Sequence, residues 1–158
     1  MEESNYYTPE LEEFCVGFEY EVLKNKTWEE LSLSDWANCE GTDANYECLN
    51  DISHGIDGGK IRVKYLDRED IESLGWESHP VLNIWAEEDN CFVDGYSFAA
   101  NNTDTYVLLY DQENSTLGIY LQRVYNEMSG NWTSHIMFSG IVKNKTELRK
   151  LMKMLGIL

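Results

Sequence analysis

The sequence predicts an α+β fold: a mostly antiparallel, meander-like sheet of six to eight strands, a short helix near 68–74 and a C-terminal helix near 145–155. Three observations predict it. Apolar residues alternate with period two through most of the apolar segments, the mark of half-buried strands. Turn residues punctuate those segments, as in KNK at 24–26 and DQENST at 111–116. A helical period with start and stop signals occurs in two places only, too sparse for a doubly wound α/β fold.

Taken in order, EFCVGFEYEVL (13–23) alternates, with Val16, Phe18, Tyr20 and Val22 on one face. Lys24-Asn25-Lys26 turns the chain, and Thr27–Trp36 can return as a second strand. Residues 37–60 are the least regular stretch and read as a long loop, because Gly41, Gly55, Gly58, Gly59 and several Asn and Asp mark breaks. IRVKYL (61–66) is a strand with Ile61, Val63 and Tyr65 on one face. Asp67 then stands at an N-cap position, able to accept from the amide of Asp70. Glu69, Asp70 and Glu72 favour the positive end of the helix dipole. Ile71 and Leu74 form its buried stripe, and Gly75 is a natural stop. The acids of this stretch therefore have a capping role without any catalysis. Val81–Ala86 and Cys91–Phe98 read as two further strands, and Tyr106–Tyr110 with Leu117–Tyr125 as the clearest hairpin. Trp132–Val142 alternates again. In KNKTELRKLMKMLGIL, Asn144 caps, Glu147 completes a capping-box pattern, and Leu148, Leu151, Met152 and Leu155 make an amphipathic stripe that Gly156 ends.

A chain of 158 residues with only two prolines and no Gly/Ser-rich linker predicts a single domain over 1–158. Hydrophobic residues at 42% and aromatics at 13% suffice for a packed core and argue against disorder. Net charge is −17, and it is unevenly placed: residues 1–110 hold 25 acids and 6 bases, residues 111–158 hold 4 acids and 6 bases. Such a body repels polyanions, so nucleic acid and anionic membrane are not expected partners, whereas a basic protein is. The start, MEESNYYTPELEE, lacks the basic and apolar regions of a signal peptide, and no apolar run nears the roughly 20 residues that span a bilayer. The expected location is a cytoplasm, with Cys15, Cys39, Cys48 and Cys91 as thiols.

Motifs for catalysis are missing. IDGGK (56–60) lacks the spacing of a phosphate loop and precedes a strand. Cys39, Cys48 and His54 could supply three zinc ligands, but no C-x-x-C pair supports them. EEDN (87–90) reads as a charged hairpin tip, His135 as a strand residue, and no nucleophile has an evident base. No enzyme activity, catalytic residue, metal or cofactor is expected. Aromatics are more informative, because Tyr and Trp are favoured at recognition surfaces and also form strands well. The candidate ligand- or partner-binding residues are Trp36, Tyr46, Trp76, Trp85 and Tyr96, with Arg62, Lys64 and Arg123 as the available cations.

The segments ELEEFCVGFEYEVL, IRVKYLDREDIESLGW and SGIVKNKTELRKLMKMLGI resemble a group of small acidic proteins encoded by phages of Bacteroidetes gut bacteria, the crAss-like phages among them. The resemblance covers about two-thirds of the chain and leaves 24–60 and 77–105 unmatched. It implies expression in the cytoplasm of an infected bacterium and carries no catalytic residues to transfer. In that setting a small acidic protein without enzymatic motifs is expected to evade host defence. One route is a stoichiometric inhibitor whose acidic face covers a basic face of a host protein. A second is a sponge that sequesters a nucleotide immune signal between aromatics and arginines. A virion or assembly component is a third, and a homo-oligomer is open in each.

Overall fold

The computed structural model describes residues 5–15, 17–33, 42–79, 93–99, 104–126 and 131–158. The α+β class and the antiparallel pairing hold, with the strands divided between a four-stranded and a five-stranded sheet. The chain falls into two compact units, Met1–Tyr65 and Leu66–Leu158.

The first unit contains β1 (Tyr6–Tyr7), β2 (Glu19–Lys24), β3 (Thr27–Ser32), α1 (Thr42–Asp57) and β4 (Ile61–Lys64). Its sheet runs β1-β4-β2-β3. β2 and β3 join through Asn25 and Lys26, both at positive φ (50° and 70°). That is the two-residue turn whose twist matches the flanking strands. Alternation then sorts the side chains. Tyr20, Ile61 and Val63 are buried on the inner face, where Phe18 and Ile52 of α1 complete the cluster.

Helix α1 corrects the expectation of a loop over 37–60. Leu49, Ile52 and Ile56 recur at helical spacing, and Ile52 is buried. Gly55 reads as a breaker in the sequence but here permits close packing: a Cβ on it would lie 2.7 Å from Cδ1 of Ile61. The pair Gly58-Gly59 ends the helix. Gly59 takes φ +62°, its amide donates to the Ile56 carbonyl at 3.0 Å, and the amide of Lys60 donates to that of Gly55 at 2.8 Å. These are the two bonds of a Schellman stop, which satisfies carbonyls the helix end would leave orphaned.

The second unit contains α2 (Arg68–Ser73), β5 (Glu77–Ser78), β6 (Asp94–Ala99), β7 (Asp104–Asp111), β8 (Thr116–Asn126), β9 (Asn131–Ile141) and α3 (Lys145–Met154). Its sheet is a sequential meander, β5-β6-β7-β8-β9. The segment Val81–Ala86, expected as a strand, lies outside the described residues. Asp67 caps α2 as expected, accepting from the Asp70 amide at 2.9 Å. Asn144 caps α3, accepting from Glu147 at 3.0 Å. The Glu147 carboxylate accepts from the amide of Lys143, the residue before the cap, at 2.7 Å. Leu148, Leu151 and Met152 are buried in one cluster with Leu66, Trp76, Tyr96, Leu108 and Ile119. Each such aliphatic side chain stabilises the fold by about 1.5–3 kcal/mol. Pairing places Tyr96, Leu108 and Ile119 in one row on this core face of the sheet. On the opposite face, Glu77, Ser97 and Val107 form one row and Ala99, Thr105 and Gln122 the next.

Candidate functional site

The expected binding residues do not form one site. Trp76 and Tyr96 are each 1% exposed and belong to the core of the second unit. The Trp76 indole donates to the Met152 sulfur at 3.2 Å, and its ring meets Phe98 at 5.6 Å between centroids. These aromatics serve packing. Trp36 and Trp85 lie outside the described residues, as does the side chain of Tyr46, whose backbone belongs to α1.

Arg62 has the most elaborate surroundings of the expected cations. Register sets Arg62 opposite Glu21 and Tyr6 opposite Lys64, and it sets Leu23 opposite Trp28. The outward face of the first sheet thus gathers residues remote in sequence. The guanidinium lies 3.7 Å from the ring centre of Tyr6 and 4.1 Å from that of Trp28. Its Nε donates to Glu21 at 2.6 Å. The Tyr6 hydroxyl donates to the other oxygen of Glu21 at 3.3 Å. Burial first, then the Glu21 carboxylate, raises the pKa of the Tyr6 phenol. Cation–π stacking and a charge-assisted bond both favour the guanidinium here. They also offset a cost of the hairpin, since Glu21 faces Glu30 directly across the strands. Lys64 is half-buried on the same strand.

Arg123 is held in a similar way. Its Nε and one terminal nitrogen donate to the two oxygens of Asp104 at 2.8 and 2.9 Å, a bidentate pair across β7 and β8. Arg68 pairs with Glu72 (2.7 Å) one turn on, and Lys24 with Glu29 (3.3 Å). The arginines expected to meet a phosphate therefore already meet carboxylates.

Concave sites among the described residues include two of a few hundred Å³ each. One, of about 490 Å³, opens on the second face of the five-stranded sheet, walled by Glu77, His79, Ser97, Thr105, Val107 and Gln122. The backbone of His79 is fixed by donation to Gly95 at 2.8 Å, while its buried Nδ1 has no hydrogen-bond partner among the described residues. The other, of about 400 Å³, lies between α1 and the first sheet, with Tyr20, Val22 and Ile61 beneath Lys24, His54 and Lys60. Sequence reasoning missed His79 and Gln122. Alternation places Gln122 on a strand face, whereas His79 follows β5, and only the pairing of β5 through β8 sets both along the same side of the sheet.

No group of three or more metal-ligating side chains comes together among the described residues. His54 is exposed, and Cys39, Cys91 and the side chain of Cys48 lie outside the description. Cys15 is a half-buried free thiol. No described helix is long and apolar enough to cross a membrane. No protein-family model matches the chain, and no curated protein or solved structure is detectably similar to it.

Proposed function

We propose that the protein is a non-enzymatic phage accessory protein, acting in the host bacterial cytoplasm, that counters host defence by occupying a basic face of a host protein. One observation carries this reading: Arg62 and Arg123 are neutralised internally, by Glu21 at 2.6 Å and by Asp104 at 2.8 Å. With 29 acids against 12 bases, pairing every cation still leaves a large surplus of carboxylates to face a partner. Exposed members include Glu10, Glu12 and Glu30 in the first unit and Glu69, Glu77 and Asp94 in the second. Surplus charge of one sign speeds encounter with an oppositely charged surface and rejects like-charged ones.

The same observation counts against a nucleotide sponge, which needs cations directed at phosphate. Neither cavity sets an arginine among its described walls. The test is affinity capture from lysate of defence-activated bacteria, followed by denaturation and mass spectrometry of everything released. The expected result is a basic host protein, captured stoichiometrically and lost at high salt or with the Glu29→Lys/Glu30→Lys variant. Release of an intact nucleotide with no protein would overturn the reading.

A further inference from the structure

The cavity between α1 and the first sheet reverses the charge pattern of the chain. It measures about 400 Å³, within the range of small-molecule sites, and its described walls all belong to the first unit. Its interior is apolar. Tyr20 and Val22 share one face of β2, Leu31 stands opposite Tyr20 on β3, and Ile61 stands opposite Val22 on β4. Ile52 of α1 completes these apolar walls.

The basic groups gather at one end. The amide of Lys60 donates to the Gly55 carbonyl at 2.8 Å, and its carbonyl accepts from the Leu23 amide at 2.8 Å. Lys60 is thereby one backbone bond from the neighbour of His54 and one from the neighbour of Lys24, and all three line the cavity. Asp51 is the only carboxylate among the described walls. In a chain of 29 acids and 12 bases, two lysines and a histidine against one aspartate is a local inversion. Lys24 is answered by Glu29 at 3.3 Å, whereas Lys60 has no ion pair among the described residues. His54 offers an N–H in either neutral tautomer. Such walls fit a ligand with two unlike ends: an apolar body that leaves water, and an anionic head beside Lys60. The head carries one charge, because a chain of net charge −17 repels a polyanion far more than a monoanion.

We propose that this cavity binds a small apolar molecule with a single anionic head, the head held by Lys60 and His54. The proposal is independent of the basic-partner reading, which uses the outer carboxylates, so failure here leaves that reading untouched. The experiment is an NMR titration of the full chain with octanoate, octanol and octylammonium, which share one chain length under an anionic, a neutral and a cationic head. Octanoate is expected to saturate, with shifts at Ile52, Ile61 and His54, and to raise the unfolding temperature by mass action. Octanol and octylammonium are each expected to bind at least tenfold more weakly. Hexanoate, two methylenes shorter, is expected to bind at least fivefold more weakly than octanoate. Lys60 is exposed, so Lys60→Gln should fold, weaken octanoate at least fivefold and leave octanol unchanged. If that variant does not fold, the head-group contrasts on the unaltered chain still decide. No saturation by octanoate, equal affinity for octanol or octylammonium, or unchanged octanoate affinity in Lys60→Gln overturns the proposal.

Discussion

Two buried tyrosines on the same face of the same sheet should respond oppositely to loss of their hydroxyls. Tyr110 is 2% exposed and donates to the Leu66 carbonyl at 2.9 Å. Leu66 in turn donates its amide to Lys143 at 2.6 Å, so the bond sits where β4 leads into the second unit and the chain enters α3. Tyr110→Phe strands the Leu66 carbonyl and should cost about 1–3 kcal/mol. Tyr96 is 1% exposed, and its buried hydroxyl has no hydrogen-bond partner among the described residues. Tyr96→Phe removes an unsatisfied group while keeping the ring, so it should be neutral or stabilising by up to about 1 kcal/mol. The gap between the variants is then about 2 kcal/mol. At a urea m-value near 2 kcal/mol/M, that separates the midpoints by about 1 M with unchanged slopes. Urea unfolding followed by tryptophan fluorescence reads it directly. Coincident midpoints, or a Tyr96→Phe variant weaker than Tyr110→Phe, would refute the reasoning.

Four further outcomes are expected. Burial pushes Tyr110 up to about 12 against an ordinary value near 10, so the folded state holds the phenol proton more tightly. Its contribution is full below about pH 10 and is lost as pH rises toward 12; alkaline unfolding scans should show this, with a shallower decline for Tyr110→Phe. Arg62→Met leaves Glu21 opposite Glu30 without a cation and should cost the first unit about 1–2 kcal/mol, with Arg62→Lys recovering less than half; unchanged urea stability would refute it. Asn144→Ala should cost about 1 kcal/mol and Asn144→Asp little, read by thermal unfolding. Gly156 takes φ +71° with open space around it, so Gly156→Ala should cost about 1 kcal/mol through backbone strain alone, and Gly156→Asn less.

What was legible in the sequence was local. The Asp67 and Asn144 caps, the turn at Asn25-Lys26 and the alternation of β7 to β9 each depend on neighbours a few residues away. Helix α1 was not legible, because Gly55 and Gly58-Gly59 carry the signals of a loop. Gly55 is small on account of Ile61, a strand residue that helical spacing does not reveal. The core placement of Trp76 and Tyr96 was illegible for a related reason. Aromatic content does not say which sheet face α3 will cover. Arg62 was singled out as a cation, yet the carboxylate and two rings around it come from three other strands. Local sequence cannot show a charge already answered elsewhere.

Strand β9 gives the charge a second meaning. It closes the order of the five-stranded sheet, and no described strand pairs with its outer edge. Its 11 residues present an edge of about 35 Å, with Ile136 and Ile141 each about two-thirds exposed. Such a border is a template for another copy's β9, the first step toward fibrous aggregation. At neutral pH the carboxylate surplus keeps copies apart over roughly one Debye length, about 8 Å in physiological salt. Acidification or added salt removes that barrier. Colloidal stability of this chain is therefore set by its net charge, and neutralising that charge would bring the β9 edges of neighbouring copies within reach.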